Sequence, residues 1–159
     1  MARRVFLSGA ILVTALLVYA VLPVHAGGKK SDSEVKISAT QAKPDGKGNQ
    51  VVIVTLDHNK GWHTYANPVG NIDFDSNKTV VSLNANGKAV EAKIEYPTGK
   101  VTKDKIVGDY NVYENKVQIR AAIQRAPGDN SPLEVNVRII ACHEKGICLL
   151  PATVKVKVP

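Results

Sequence analysis

Apolar residues at every second position recur along most of this chain, and this feature constrains the fold more than any other. Apolar alternation or a β-branched run occupies residues 51–56, 90–96, 117–123, 133–141 and 154–158, and turn sequences rich in glycine, proline and asparagine separate these segments. Side chains of a strand point alternately to its two faces, so a period of two predicts strands with one buried face. No segment after residue 26 shows a sustained helical period. Seven or eight strands at this spacing predict an all-β fold, an immunoglobulin-like antiparallel β-sandwich.

The amino-terminal residues have the pattern of an export signal. Arg3 and Arg4 precede an apolar run over residues 5–22, and Ala26 ends a Val-His-Ala sequence of the type that signal peptidase cuts. We predict a signal peptide at residues 1–26, a flexible start at residues 27–33 and one domain at residues 34–159. The apolar run is longer than a usual signal, so an uncleaved membrane anchor stays open as an alternative.

The charge of the chain argues against a nucleic-acid partner. Lysine and arginine number 21 against 14 aspartates and glutamates, for a net charge of +7. The lysines are scattered and few aromatic residues lie among them, whereas nucleic-acid sites cluster basic and stacking side chains. The pattern is typical of a solvated basic surface.

Two cysteines, Cys142 and Cys148, are the chemically reactive pair of the chain, with Gly146 between them. An export signal and an even cysteine count predict that they form a disulfide. A strand–turn–strand of this length can bring the Cα atoms within the roughly 4.4–6.8 Å that a disulfide needs. Cys142 has the opposite parity to the apolar series over residues 133–141, so we expect it to point away from the main core, towards a covering loop or solvent. His143 and Lys145 place positive charge nearby, which favours a thiolate.

The residues alone leave three functions open. The cysteine pair is either redox-active or a structural hairpin disulfide in a non-catalytic exported binding module. A third reading is a copper or zinc carrier, in which Cys142, Cys148, His143 and His63 form a Cys₂His₂ set. The spacing is not C-x-x-C, so nothing points to a thioredoxin-type site.

A family resemblance adds to this reading. Residues 141–151, Ala-Cys-His-Glu-Lys-Gly-Ile-Cys-Leu-Leu-Pro, resemble the C-x-x-x-G-x-C-x-x-P signature of the amino-terminal periplasmic domain of the thiol:disulfide interchange protein DsbD. Three further segments match in order. Residues 61–65 resemble that family's aromatic strand after a glycine, Tyr96-Pro97 precedes its cap loop, and residues 104–108 with 112–113 resemble the cap loop and the next strand.

The resemblance implies a periplasmic immunoglobulin-like domain that carries electrons. A membrane thiol–disulfide transporter or its thioredoxin-like domain would reduce the pair, and the pair would then reduce periplasmic thioredoxin-like proteins, including those of cytochrome c biogenesis. Cys142 and Cys148 would be the redox pair, and Cys148 would form the mixed disulfides. Tyr65 matches a tyrosine near the sulfurs, and Asp104 an acidic cap-loop residue. We expect the domain to be a monomer and to bind no cofactor, small-molecule substrate or nucleic acid. Whether it acts as a protein-disulfide reductase is left open.

The chain departs from the family pattern at three positions. The cap-loop aromatic is Ile106, an acidic neighbour is Lys105, and a tyrosine position is His63. We expect residues 101–109 to form a loop over the sulfurs with Ile106 as its apolar contact, and His63 to be a half-exposed strand residue. The partner surface is expected to differ accordingly.

Overall fold

The computed structural model describes residues 28–158, so the predicted signal peptide at residues 1–26 lies outside the described residues. Within residues 28–158 the chain forms twelve strands and two short 3₁₀ helices. The strands are β1 Val35–Gln41, β2 Asn49–His58, β3 Trp62–Tyr65, β4 Val80–Ala85, β5 Lys88–Val90, β6 Ala92–Glu95, β7 Lys100–Thr102, β8 Tyr110–Glu114, β9 Lys116–Gln124, β10 Leu133–Ile139, β11 Ala141–His143 and β12 Ala152–Val158. The 3₁₀ helices span Ser31–Ser33 and Ile72–Asn77. In this part of the chain no helix is long and apolar enough to cross a membrane.

Two four-stranded antiparallel sheets enclose the main core. The first has the order β1-β2-β9-β6 and the second the order β12-β10-β4-β5. Alternate residues of the strands face inward and are buried, among them Val52, Val54, Leu56, Ile119, Ala121, Val135, Val137 and Ile139. Burial of each Val, Leu or Ile side chain contributes about 1.5–3 kcal/mol, so these faces determine the register. The predicted all-β antiparallel sandwich is confirmed.

A third sheet, with the order β11-β3-β8-β7, lies at one end of the sandwich and was not predicted. Strand β10 ends at Ile139, and the chain continues past Ile140 into β11, which pairs with β3 instead of with β4 and β12. The four strands of the third sheet have only three to five residues each, too few for a clear alternation in the sequence. One face of this third sheet packs on the main core through Ala141 and Tyr113.

A structured segment precedes the first strand. Residues 31–33, part of the segment predicted to be a flexible start, form the first 3₁₀ helix, and Ser31 is completely buried. The predicted domain boundary at Glu34 therefore has a structured segment immediately before it.

Candidate functional site

The two cysteines form a disulfide that closes a hairpin at β11. The S–S bond is 2.04 Å long and the Cα atoms are 4.0 Å apart. The hydrogen bonds from the His143 N–H to the Ile147 carbonyl (2.7 Å) and from the Leu149 N–H to the Ala141 carbonyl (2.9 Å) lie on either side of the pair. The cysteines thus occupy a non-hydrogen-bonded position, where opposite residues approach most closely. The predicted disulfide is confirmed.

A glycine makes the hairpin turn feasible. The Gly146 N–H donates to the His143 carbonyl at 2.9 Å, and Gly146 has a φ of +81°. This left-handed conformation is typical of the glycine that ends a three-residue hairpin loop, because a Cβ would be strained there. The turn therefore places Cys148 opposite Cys142.

Cys142 points away from the main core, as its parity predicted. Ile139 and Ala141 belong to the main core, whereas Cys142 and Ile140 pack in a separate cluster with Tyr65. Cys142 is nevertheless only 3% exposed. It lies beside three aromatic rings, those of Tyr65, Phe74 and Tyr110, whose centroids are 5.0–5.8 Å apart. We refer to these three residues as the aromatic cluster.

The two cysteines of the disulfide differ in their exposure. Cys142 is buried, whereas Cys148 is exposed to solvent. Cys142 belongs to β11, which is hydrogen-bonded to β3, while Cys148 follows the turn on the outer side of the hairpin. An attacking thiolate can therefore approach Cys148 more easily than Cys142.

An open cleft of about 460 Å³ lies on the outer face of the third sheet, next to the disulfide. Six of the seven predicted site residues line it: Cys142, Cys148, His63, Tyr65, Asp104 and His143. His63 is the direct cross-strand partner of Cys142, and Glu114 is the partner of His63 on the next strand. A cleft of about 620 Å³ formed by residues 41–44, 125, 130–132 and 158 contains no cysteine or histidine.

Tyr65 and His63 are held in defined protonation states near neutral pH. The Tyr65 hydroxyl lies 3.9 Å from Cys142 Sγ, and because a disulfide sulfur carries no proton, only the hydroxyl can donate. Burial, and secondarily Tyr110, raises the pKa of Tyr65, so the phenol keeps its proton. Burial and the nearby His58 lower the pKa of His63. The cleft thus offers a neutral hydroxyl donor and a neutral imidazole.

Ile106 does not contact the disulfide, contrary to the prediction. The Asp104 carboxylate accepts hydrogen bonds from the N–H groups of Ile106 (2.7 Å) and Val107 (3.1 Å), and these bonds also lower the pKa of Asp104. This turn leaves the Ile106 side chain 94% exposed. The loop is also shorter than predicted, because Val101 and Thr102 belong to β7. Cys142 instead packs in one cluster with Tyr65, Phe74 and Tyr110.

The structure does not assemble the Cys₂His₂ metal set. Both thiols are used in the disulfide, and the His143 ring packs edge-on against the Trp62 ring at 5.1 Å. Among residues 28–158 no group of three or more histidine, cysteine, aspartate or glutamate side chains is arranged to hold a metal ion.

Three residues near the disulfide were not singled out from the sequence: Phe74, Tyr110 and Ser31. Phe74 stands between two aspartates, two residues after Ile72. Ile72 also has polar neighbours and is 85% exposed, so the local sequence did not distinguish Phe74 as a residue that packs near the disulfide. A serine near the amino terminus carries no signal either.

Comparison with known proteins finds one matching family model and several similar solved structures. A family model described as thiol:disulfide interchange protein DsbD, N-terminal, matches residues 31–159. The reduced DsbD N-terminal domain of Neisseria meningitidis has a TM-score of 0.55 and 18% identity, over 79% of this chain and 85% of that chain. The complex between the DsbD and PilB N-terminal domains from the same organism gives 0.46 and 15%, over 76% and 80%. The N-terminal periplasmic domain of ScsB from Proteus mirabilis gives 0.49 and 14%, over 76% and 44%. No curated protein matches the chain.

These similarities carry two conclusions. The likeness to the Neisseria domain, at 18% identity, supports the fold and confirms the predicted immunoglobulin-like class. The family model covers most of the chain, including both cysteines and every residue lining the cleft. The chain therefore belongs to the family of the N-terminal domain of the thiol:disulfide interchange protein DsbD.

Proposed function

We propose that this domain exchanges disulfides with thioredoxin-like proteins through Cys142 and Cys148, and that Cys148 forms the mixed disulfide. The observation that carries the proposal is the contrast between the exposed Cys148 and Cys142, which is 3% exposed. Exchange requires a thiolate to reach one sulfur of a disulfide, so access selects the sulfur that is attacked. Membership of the family supports the same use of the pair.

The proposed exchange has two halves, reduction of the domain and reduction of the acceptor, and each half consists of two displacement steps. A thiolate of the electron donor attacks Cys148 Sγ, the S–S bond breaks, and Cys142 leaves as a thiolate. The donor's second thiolate then attacks the donor's first sulfur, which is in the mixed disulfide. Cys148 leaves as a thiolate, and the donor is oxidised by two electrons. In the second half, the Cys148 thiolate attacks the disulfide of the acceptor protein. The Cys142 thiolate then attacks Cys148 Sγ, which re-forms the disulfide and releases the reduced acceptor.

Tyr65 and His63 have supporting roles in this proposal. Charge develops on Cys142 when it leaves, and the protonated Tyr65 hydroxyl at 3.9 Å is placed to donate to that thiolate. His63 lies opposite Cys142 across the strands, and burial lowers its pKa. Its imidazole is therefore unprotonated near neutral pH and available to accept the thiol proton of Cys142 before that residue attacks. Asp104 holds the turn at the rim of the cleft through its two hydrogen bonds.

The compartment and the electron source belong to the same proposal. Membership of the family supports a periplasmic location. We assign reduction of the cysteine pair to a membrane thiol–disulfide transporter. The acceptors in this proposal are periplasmic thioredoxin-like proteins, among them those of cytochrome c biogenesis. Amino-terminal sequencing of exported protein is expected to begin at Gly27, behind the sequence of the signal peptide. Recovery of Met1 or Ala2 in the membrane fraction would instead indicate an uncleaved anchor.

A structural disulfide in a binding module is the competing function. Closing a loop of about seven residues is worth roughly 2.4 kcal/mol in the chain-entropy model, less than a long loop would contribute. The reduction potential separates the two functions: a structural bond lies below about −300 mV, and an exchange pair is more oxidising.

Trapping of mixed disulfides tests the proposed exchange. With Cys142 replaced by Ala, Cys148 is expected to accumulate a stable mixed disulfide with a thioredoxin-like partner, because the resolving thiol is missing. Cys148→Ala is the matched control and is expected to trap none. Equal trapping by both variants would remove the assignment of roles, and trapping by neither would remove the exchange function.

A further inference from the structure

Ser31 connects the two chain segments that carry the cysteines. Its hydroxyl donates to the Leu150 carbonyl at 2.7 Å and accepts from the Ala141 N–H at 2.8 Å. Its own N–H also donates to the Leu150 carbonyl, at 2.9 Å. Ala141 immediately precedes Cys142, and Leu150 lies two residues after Cys148. One buried serine is thus bonded to both sides of the disulfide hairpin.

The Ser31 hydrogen bonds replace part of the backbone hydrogen-bond ladder between the segments that contain Cys142 and Cys148. In a regular antiparallel pair, Ala141 and Leu149 would exchange two backbone hydrogen bonds. The Leu149 N–H does donate to the Ala141 carbonyl, but the Ala141 N–H donates to Ser31 Oγ instead. The segment after Cys148 is held on its other side by the residues before Ser31: the Leu150 N–H donates to the Lys29 carbonyl at 3.2 Å.

Reduction removes the covalent link, and the remaining contacts then have to keep the sulfurs together. A short two-stranded hairpin is marginally stable in water, so the turn and its two flanking hydrogen bonds are a weak restraint. The Ser31 hydrogen bonds involve neither sulfur, and Ser31 is completely buried.

We propose that Ser31 is a positioning residue that holds Cys142 and Cys148 in register in the dithiol form and so favours closure of the disulfide. The inference rests on the proposed function only in taking the pair to cycle between dithiol and disulfide. In the disulfide form the S–S bond keeps the register with or without Ser31. In the dithiol form, loss of the hydroxyl lets the two segments separate, and closing the ring then costs more conformational entropy.

The equilibrium with a small dithiol tests this inference on the full chain. Ser31→Ala is expected to shift the equilibrium constant towards the dithiol by about tenfold, which for a two-electron couple makes the potential about 30 mV more oxidising. Ser33→Ala is the matched control, because Ser33 lies in the same 3₁₀ helix but is exposed and donates only to the Lys30 carbonyl at 2.7 Å. This control is expected to change the constant less than twofold.

Thermal unfolding separates a positioning role of Ser31 from a purely structural one. If Ser31 positions the cysteines, Ser31→Ala is expected to lower the melting temperature of the disulfide form more than that of the dithiol form. The reason is that only the dithiol form gains conformational freedom that offsets the lost hydrogen bonds. Equal lowering of both forms with an unchanged equilibrium constant would overturn the inference. Because a small dithiol replaces the protein partner, this outcome is independent of the trapping experiment.

A measurement on the unmodified protein covers the case in which the variant does not fold. The Ala141 amide, whose N–H donates to Ser31 Oγ, is expected to stay protected from hydrogen exchange after the disulfide is reduced. Exchange of this amide at the rate of an unstructured chain in the dithiol form would show that the Ser31 contacts do not survive reduction, and would overturn the inference.

Discussion

The Tyr65 hydroxyl lies 3.9 Å from Cys142 Sγ, on the face of the third sheet that points away from the main core. The contact follows from the register of β3 and β11: His63 pairs with Cys142, and Tyr65, two residues further along β3, is on the same face. In the proposed exchange Cys142 carries charge when it leaves, and this buried residue has a hydroxyl donor beside it.

Replacement of Tyr65 by Phe is expected to slow reduction of the disulfide by dithiothreitol at pH 7 by roughly threefold to tenfold, the range of one ordinary hydrogen bond. The ring and its packing remain, and only the donor to the leaving Cys142 thiolate is lost. Tyr110→Phe, which removes a hydroxyl from another ring of the aromatic cluster, is the control. Identical rates for the Tyr65→Phe variant and the wild type would rule out a role of the hydroxyl.

The two thiols are expected to react with an alkylating reagent at very different rates. In the Cys148→Ala variant only Cys142 remains, and its 3% exposure predicts alkylation at least about tenfold slower than that of Cys148 in the Cys142→Ala variant. Mass spectrometry over a time course measures both rates. Comparable rates would show that Cys142 becomes accessible once the bond is absent.

The aromatic cluster, and not the loop after β7, is expected to shield Cys142. In the Cys148→Ala background, Phe74→Ala should speed alkylation of Cys142 several-fold, because Phe74 packs in the cluster that buries this cysteine. Ile106→Gly should leave the rate within about twofold, since Ile106 is 94% exposed. Acceleration by Ile106→Gly would instead mean that the loop closes over the sulfur in solution.

Stability is expected to fall as the pH drops through about 6.5. His58 is buried, with Nδ1 2.8 Å from the Asn115 carbonyl oxygen and Nε2 3.0 Å from Thr64 Oγ1. Burial lowers the pKa of His58, against a partial opposing effect of Asn115, Asp57 and Glu114. The folded state therefore binds fewer protons than the unfolded state below pH 6.5, and acid favours unfolding.

Urea unfolding between pH 5 and 8 measures this dependence. The free energy of unfolding is expected to be nearly constant above pH 7.5 and to decrease below about 6.5, down to the folded-state pKa of the histidines. His58→Gln should flatten the profile in part, and His63→Gln should remove a further portion, because the pKa of His63 is also lowered by burial. A profile for His58→Gln as steep as that of the wild type would contradict the assignment.

Local sequence patterns determined most of the longest strands of the sandwich and the disulfide. The alternation over residues 117–123 and 133–141 depends only on the period of a strand, and residues 117–123 and 133–139 pair in the sandwich. The parity of Cys142 relative to Val137 and Ile139 indicated the correct face, because the alternation persists across the change of sheet at Ile140. The spacing of Cys142 and Cys148 suited a hairpin disulfide because a hairpin is a local structure.

Contacts between distant parts of the chain were decided by the tertiary structure alone. Ser31 and Ala141 are 110 residues apart, and nothing in either neighbourhood indicates that they meet. Phe74, Tyr110 and Cys142 share one cluster only because a third sheet forms from short strands at the end of the sandwich. Ile106 was predicted to face the sulfur, but the Asp104 carboxylate binds the turn and leaves the side chain in solvent. Periodicity indicates which face of a strand is buried, whereas the residues that cover that face depend on packing between elements far apart in the sequence.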